Sequence, residues 1–410
     1  MTIPTNVIKN RKILLAVTGS IAIYKTLELI REFVKAGADV KVVMSQSAKK
    51  FIAPLTFETL TTHQVLDDTN ESWANEHNHI QITQWADIMI IAPATANTIA
   101  KLAHGIADNI LLQSALAFRG VKILAPSANT NMLQNPLTQA NLKILKAANY
   151  TLIETQTKEL ACKTVGDGAM AEPLTIFYRT CRELLKEEFW EHRRVVVTGG
   201  GTIEKIDEVR YISNFSSGKM ASALAMALYM RGADVMLIAT KFADTLPADI
   251  ERIKVESSQE MHVALVGTIA SEDIQCAKKR PYLFMAAAVS DYVAEFVQNT
   301  KLKKENLGDT WRLNLKKNID ILSSIDKKGI TAIGFKAEMD KEKAKENAKK
   351  MLQQKELDAV CLNVLQNASS FGSDDNEIEF ITHEKVVHIP KNDKLNIAFA
   401  ILCNAKELQE

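Results

Sequence analysis

From Arg11 the chain reads RKILLAVTGS, an apolar run over Ile13–Val17 that stops at a Thr-Gly-Ser turn. An unbroken aliphatic run bounded by turn formers predicts a strand buried on both faces. Beyond the turn, Ile23, Leu27, Ile30 and Val34 recur at helical spacing, which predicts an amphipathic helix closed by Gly37. The next apolar run, Val40–Ser45, predicts a second strand, so the opening is a strand–helix–strand unit. The pattern returns at Arg193. There RRVVVTGGGT carries a strand over Val195–Val197 and the turn Thr198-Gly199-Gly200-Gly201-Thr202. A longer loop precedes a helix over Gly218–Met230, and GADVMLIAT (Gly232–Thr240) echoes GADVKVVMS of the first copy. Further short apolar runs at Ile88–Ala92 and Val121–Ala125, then at Leu283–Ala287, Ala332–Phe335 and Ala359–Asn363, have the look of buried parallel strands. The predicted fold class is α/β, with two doubly wound, Rossmann-like domains. The charged stretch Arg179–Arg194 predicts a terminal helix and a junction, which puts one domain at 1–190 and the other at 191–410.

Composition narrows the function classes. The 410 residues are 47% hydrophobic and 24% charged, with a net charge of +1. That balance supplies no global field toward nucleic acid or an anionic membrane, so neither is expected as a partner. No apolar run approaches the ~20 residues of a spanning helix, and the first residues lack the apolar core of a signal peptide. The five cysteines, Cys162, Cys181, Cys276, Cys361 and Cys403, are widely spaced with no C-x-x-C, which argues against a disulfide framework or a structural zinc site. A cytoplasmic location is the expectation.

The two glycine turns raise the question of which nucleotide they serve. Neither has a full G-x-G-x-x-G, and Ser45 and Thr240 stand where a NAD enzyme carries an acidic residue for the ribose diol. Ser217-Gly218-Lys219-Met220 lacks the hydroxyl that follows lysine in a Walker A loop. Hydroxyls suit phosphate better than a diol, which favours a mononucleotide such as FMN or a nucleoside triphosphate. A NAD(P)-dependent oxidoreductase with duplicated domains and a plain chain reversal at each turn remain the alternatives at this point.

In the first half, Gly19-Ser20-Ile21-Ala22 with Tyr24-Lys25, His79-Ile80, PATANTIAKLAHGIADNIL (Pro93–Leu111), PSANTNM (Pro126–Met132), Ala161-Cys162 and Gly166-Asp167-Gly168-Ala169-Met170 follow one another. In this order they resemble the FMN-dependent cysteine decarboxylases, phosphopantothenoylcysteine decarboxylase in particular, over about residues 11–177. The resemblance implies FMN, contacted by Gly19, Ser20, Ser45 and Thr95. It also implies His79 as an active-site base, Asn129 as the holder of the substrate carboxylate and Cys162 as the proton donor to the reduced intermediate, on a mobile flap with Gly166 and Gly168. Taken singly, each of these three also has an ordinary structural reading: a surface histidine, a turn asparagine, a buried thiol. Two positions depart from the pattern: Ala169 stands where the flap has arginine, and Lys163 where glycine often follows the cysteine. A non-catalytic flavin-binding regulator is the alternative within this family.

In the second half, Thr198–Thr202 with Glu204, Ile206-Asp207, Val209–Asn214 and Ser216–Met220 form one long string. Ala286–Tyr292, Lys301–Lys304, Lys317-Asn318 with Asp320-Ile321, and Gly334-Phe335 with Ala337-Glu338 follow. The set is similar to phosphopantothenate–cysteine ligase over about residues 193–365. The resemblance implies CTP as co-substrate and Mg²⁺. Nucleotide contacts would come from Met285, Ala286, Ala287, Asp291, Lys301, Ile319, Asp320, Ile321, Leu322, Phe335 and Lys355, with Asp291 also on the metal. Asn214 and Arg210 would handle the acyl cytidylate. Met351 occupies a position where the family has lysine, and Asn363-Val364 stands for an Asn-Asp pair. The two resemblances together imply consecutive steps of coenzyme A synthesis on phosphopantothenate, cysteine and CTP. They also imply a homo-oligomer, a dodecamer built from trimers of the first domain and dimers of the second.

Overall fold

The computed structural model describes residues 6–75, 77–159, 165–303, 305, 310–364 and 372–408. It divides into two compact units between Leu185 and Lys186. That is ahead of the boundary read near residue 190, because the stretch 186–193 packs with the second unit. Trp190 and Arg193 are buried there, and the Arg193 guanidinium lies 4.0 Å from the Phe189 ring and donates to Arg280 O at 2.7 Å.

The first unit is built on five parallel strands: β1 (Lys12–Val17), β2 (Asp39–Met44), β3 (Ile88–Ala94), β4 (Val121–Pro126) and β5 (Tyr150–Leu152). Their order is β2-β1-β3-β4-β5. Leu14 and Leu15 point to opposite faces and are both fully buried, so helices must cover both sides. The helices are α1 (Tyr24–Lys35), α2 (Pro54–Thr61), α3 (His79–Trp85), α4 (Ala96–Ala103), α5 (Ile110–Ala117), α6 (Thr130–Gln134), α7 (Pro136–Ala147) and α8 (Pro173–Leu185). Leu14, Met89, Ile91, Leu111 and Leu124 share one core. On α1, Phe33 meets Phe177 of α8 with ring centroids 5.6 Å apart. That contact turns α1 so that Thr26, Leu29, Ile30 and Phe33 are buried, while Val34 of the predicted stripe is exposed. Gly37, at φ +87°, ends the helix as expected. An antiparallel ribbon, β6 (Gln156–Glu159) and β7 (Val165–Ala169), stands apart from the sheet.

The second unit has an eight-stranded sheet. Its strands are β8 (Arg194–Gly199), β11 (Asp234–Ala239), β12 (Glu251–Lys254), β13 (Tyr282–Met285), β16 (Thr331–Glu338), β17 (Ala359–Val364), β18 (Asp375–Ile381) and β19 (Val386–Asp393). The order is β12-β11-β8-β13-β16-β17-β18-β19, parallel through β17 and antiparallel beyond it. Two short hairpins, β9 (Ile203–Lys205) with β10 (Tyr211–Ser213) and β14 (Tyr292–Ala294) with β15 (Leu315–Lys317), lie outside it. The helices are α9 (Lys219–Met230), α10 (Ser258–Ile269), α11 (Glu272–Gln275), α12 (Ile321–Ser324), α13 (Ala344–Gln354) and α14 (Lys394–Ala405). Every residue of α9 from Ala221 to Met230 is buried, because α14 packs against it. An all-round apolar helix needs such cover.

Candidate active sites

In an open parallel sheet, ligands bind outside the carboxyl ends of the strands where the strand order reverses. In the first unit that point lies between β1 and β3. It is rimmed by hydroxyls. Thr18 Oγ1 donates to Pro93 O at 2.6 Å and accepts from Thr95 N–H at 3.2 Å. Ser20 Oγ lies 3.1 Å from Ser127 Oγ and accepts from Ala22 N–H. Ser45 Oγ lies 3.1 Å from Ser47 Oγ. Thr95 caps α4 by accepting from Thr98 N–H. Gly19 is forced by contact, since a Cβ there would fall 2.6 Å from that of Ser47. The order 2-1-3-4-5 places such a rim where flavodoxin-like folds seat a mononucleotide. A cradle of uncharged hydroxyls and one glycine fits the phosphate of FMN, and Ser45 stands at the end of β2 where a carboxylate would hold a ribose diol.

His79 opens α3, behind the cap Asn78, whose side chain accepts from Ile80 and Gln81 N–H. Its Nδ1 is 2.7 Å from Glu71 Oε1, and Trp73 meets its ring edge-on at 5.7 Å. In the neutral ring, an Nδ1–H donated to this carboxylate leaves the lone pair on Nε2. Glu71 gave no signal in the sequence, being an acidic residue eight positions away in a polar stretch. Asn129 is exposed at the start of α6 and accepts from Asn131 N–H at 3.0 Å. The ribbon sits on that turn. A Cβ on Gly166 would fall 2.1 Å from Thr130 Oγ1, and one on Gly168 2.1 Å from Ala128 O. These glycines therefore serve close approach, where the sequence suggested looseness. Ala169, the flap departure, pairs with Gln156 across the ribbon. Cys162 and Lys163 lie outside the described residues.

In the second unit the six parallel strands, numbered along the chain, run 3-2-1-4-5-6. The order reverses between β8 and β13, where the triple-glycine turn meets the segment after Met285. Ala288 N–H donates to Gly200 O at 2.8 Å, Thr202 N–H to Ala288 O at 3.2 Å, and Ser290 N–H to Thr202 Oγ1 at 3.1 Å. Gly200 has φ +81°, and a Cβ there would fall 2.0 Å from Thr240 Oγ1, a buried hydroxyl without a partner among the described residues. Asn214 Nδ2 donates to Val289 O at 3.0 Å, so Asn214 is tied to this crossing.

A cleft of about 380 Å³ opens beside it. It gathers Met285, Ala287, Asp291, Ile319–Leu322, Phe335 and Lys355, while Ala286 lines a neighbouring cleft. Asn318 shapes the wall. Its Nδ2 donates to Ser290 O at 2.7 Å and Ser258 Oγ at 2.9 Å, and its backbone N–H donates to Asp291 O. Asp320 caps α12 and pairs with Lys355 at 3.0 Å. Burial pushes its carboxyl up, but Lys355 and the Ser323 N–H outweigh that and hold it below the usual carboxylate range. Met351 lines the cleft with its methyl packed over Gly334. Asp291 is exposed at the rim, and among the described residues no group of three or more acidic, His or Cys side chains could hold a metal alone. One carboxylate suits Mg²⁺ that is shared with phosphate oxygens.

Arg210 and Lys301 lie elsewhere on this unit's contacts. Arg210 donates to Asp207 Oδ2 at 2.8 Å and to Leu302 O at 3.3 Å, with its guanidinium 5.7 Å from the Trp311 ring. Lys301 is exposed beside Leu302. Asp207 is buried and also accepts from Val209, Arg210 and Leu302 N–H. Desolvation raises its pKa, yet these hydrogen bonds and the Arg210 charge bring it below the ordinary value. Arg210 thus braces the segment that carries Lys301.

Two family models match the chain: "Flavoprotein" over residues 2–185, and "DNA/pantothenate metabolism flavoprotein C-terminal domain" over residues 190–408. Among curated proteins, the coenzyme A biosynthesis bifunctional protein CoaBC of Bacillus subtilis is 38% identical over 403 residues, which is 96% of either chain. Its Vibrio cholerae counterpart is 36% identical over 96% of this chain and 97% of its own. That of Escherichia coli is 34% identical over 94% of each. Among solved structures, the C-terminal domain of a CoaBC protein is 27% identical, with 53% of this chain and 97% of that one covered at a TM-score of 0.42. The FMN-dependent cysteine decarboxylase SpaF is 27% identical, with 40% of this chain and 91% of that one covered at a TM-score of 0.36.

Proposed function

The chain belongs to the family of bifunctional coenzyme A biosynthesis proteins, and from that premise we propose that it makes 4′-phosphopantetheine in two steps. The second unit joins phosphopantothenate to cysteine at the expense of CTP, and the first decarboxylates the product. The observation that carries this reading is the gathering of nine of the eleven expected nucleotide residues, all but Ala286 and Lys301, in one cleft at the switch point of the second sheet.

In the ligase step a carboxylate oxygen of the acid attacks the α-phosphorus of CTP, and pyrophosphate leaves. The amine of cysteine then attacks the acyl carbon, CMP leaves, and an amide results. Asp291 would hold Mg²⁺ together with the triphosphate oxygens, and Lys301 would set a cation against the same charge. Phe335 and the Ile319–Leu322 wall would seat base and ribose. Asn214 would hold the mixed anhydride for attack, with Arg210, four residues before it, bracing the segment that carries Lys301.

In the decarboxylase step, the chemistry FMN supplies when bound is a two-electron oxidation of the substrate thiol, returned after carbon dioxide has left. Ser20, Ser45 and Thr95 around Gly19 would bind its phosphate, with Thr18 holding the Pro93 and Thr95 backbone in place. His79 would take a proton at Nε2. Asn129 would hold the departing carboxylate, and Cys162 would return a proton to the product carbon. The NAD(P) reading loses support because both switch points carry hydroxyls where an acidic residue would be needed.

Exposed Tyr211, Tyr292 and Phe296 on the hairpin side of the second unit support self-association there. Assembly into a dodecamer in the cytoplasm completes the reading, and no helix among the described residues is long and apolar enough to cross a membrane. The deciding experiment is mass spectrometry of products from phosphopantothenate, cysteine, CTP and Mg²⁺. Phosphopantothenoylcysteine and then phosphopantetheine should appear. Absence of the amide with intact, flavin-loaded protein would overturn the ligase assignment. In Cys162→Ser, carbon dioxide should still leave while reduced phosphopantetheine fails to form; wild-type yields would remove Cys162 from its role.

A further inference from the structure

The ribbon β6–β7 pairs with no strand of the five-stranded sheet, so its position rests on turn and side-chain contacts. Among the described residues two fixings stand out. One is the turn before α6, where Ala128 N–H donates to Gly168 O at 3.1 Å. The other is Lys25, the second residue of α1. Its Nζ donates to Met170 O at 3.0 Å and to Glu172 Oε1 at 3.1 Å. Glu172 Oε1 also accepts from Lys158 of β6. One carboxylate therefore joins α1, β6 and the segment that leaves β7.

A cation in the first turn of a helix opposes the helix dipole, whose positive end lies there. Lys25 breaks that rule, and with its side chain only 12% exposed it gives up water as well. The carbonyl of Met170 and the carboxylate of Glu172 compensate it. Burial pushes the Glu172 carboxyl up, but the hydrogen bonds and charges of Lys158 and Lys25 outweigh that and hold it below the usual carboxylate range. Local rules are broken in this way where position matters. The chain on either side of this contact is well seated. Met170 and Ala171 are buried, and Glu172 O accepts from Thr175 and Ile176 N–H where α8 begins, the helix whose Phe177 packs on Phe33 of α1. Five residues before Lys25, Ser20 Oγ meets Ser127 Oγ at 3.1 Å, two positions ahead of Asn129.

We infer that Lys25 is a positioning residue of the decarboxylase, which through Met170 O and Glu172 holds the ribbon against the turn that carries Asn129. The inference rests on the decarboxylase reading of the first unit. Lys25 acts through the ribbon and not on the substrate. Loss of carbon dioxide depends on the Asn129 turn, which follows β4 and keeps its place without Lys25. The return of a proton and two electrons to the product depends on Cys162, which stands in sequence between the two strands of the ribbon. The later step is therefore the one that Lys25 protects. A turnover that stops before it leaves the oxidised enethiol as product, with the two electrons taken from the thiol still on the flavin.

The test supplies phosphopantothenoylcysteine to the full, flavin-loaded chain and counts carbon dioxide and phosphopantetheine per bound flavin in an anaerobic single turnover. The wild type should release the two in equal amounts. Lys25→Met should release carbon dioxide within about threefold of the wild-type rate, while phosphopantetheine falls by about tenfold and oxidised enethiol makes up the difference. Glu172→Gln, which removes the shared charge and keeps the shape, should shift the ratio in the same direction. Lys25→Arg can still donate to both the carbonyl and the carboxylate and should bring the ratio back to within about twofold of wild type. A variant that merely folds less well loses both products in proportion. That outcome, or a Lys25→Arg no better than Lys25→Met, overturns the inference. Hydrogen exchange gives a readout that needs no substrate. The β7 amides should exchange about tenfold faster in Lys25→Met while those of β1 hold, and equal exchange of β7 in the two proteins overturns the inference. If the wild type releases no carbon dioxide, it is the decarboxylase reading that fails, and hydrogen exchange alone then decides whether Lys25 holds the ribbon.

Discussion

Asn214 reaches Val289 O with an amide hydrogen at 3.0 Å. Asn214→Asp replaces that donor with an acceptor, so two oxygens would face each other beside the mixed anhydride. The expected outcome is continued CTP consumption and cytidylate formation, with amide formation down by about 100-fold. Lys301→Gln should slow the first step instead, so that little cytidylate appears. A quench-and-separate assay checks both, and an equal loss of the first step in the two variants would remove the division of labour. Asp207 makes a pH prediction. Its folded pKa lies below the unfolded value of about 3.9. Its contribution is therefore complete above that pH and is lost as pH falls through the depressed folded value. Asp207→Asn should lower the melting temperature of the second unit at neutral pH and flatten its acid limb, as followed by circular dichroism. An unchanged acid midpoint would mean that the carboxylate carries no such linkage.

Elements bring a further kind of evidence, since the ribbon β6–β7 approaches the turn before α6 through two glycines whose neighbours differ in how far they can yield. Gly168→Ala meets backbone at Ala128 O, whereas Gly166→Ala meets the movable hydroxyl of Thr130. Gly168→Ala should therefore cost decarboxylase activity more than about tenfold, with the melting temperature little changed because the ribbon lies outside the sheet. Gly166→Ala should be milder and recover with Thr130→Ser or Thr130→Gly; carbon dioxide release measures all of these. The parallel strands were legible from their unbroken aliphatic runs, and Gly37 as a helix end, with φ of +87°. The buried face of α1 was not, because a lone stripe of aliphatics cannot report that Phe33 has a partner on α8. The hairpin β18–β19 and helix α14 also escaped notice, since their role depends on covering α9 from far along the chain. Motif order brought together most residues of the cleft at the second switch point. Glu71 and the partners of Lys25 became visible only in three dimensions, because contacts such as Lys25–Glu172 span long stretches of sequence.

At the scale of the molecule, two compact units with separate ligands should respond separately. FMN should raise only the melting transition of the first unit, and CTP with Mg²⁺ only that of the second, by mass action. Scanning calorimetry would register a common shift if the units were one cooperative body. Thiol labelling gives a second whole-chain readout. Cys181 and Cys361 are fully buried, and burial pushes both thiols up, whereas Cys276 and Cys403 are exposed. Cys276 and Cys403 should react quickly with a maleimide, and Cys181 and Cys361 only on unfolding, as read by peptide mapping. The repeated opening unit has its own bearing on biogenesis. Tandem domains that begin alike risk trading segments as they emerge from the ribosome, a characteristic failure of multidomain chains. Here β3 docks directly on β1, whereas β12 docks on the outer edge of β11. The two halves therefore diverge at the third strand, which takes opposite edges of an otherwise similar strand–helix–strand unit.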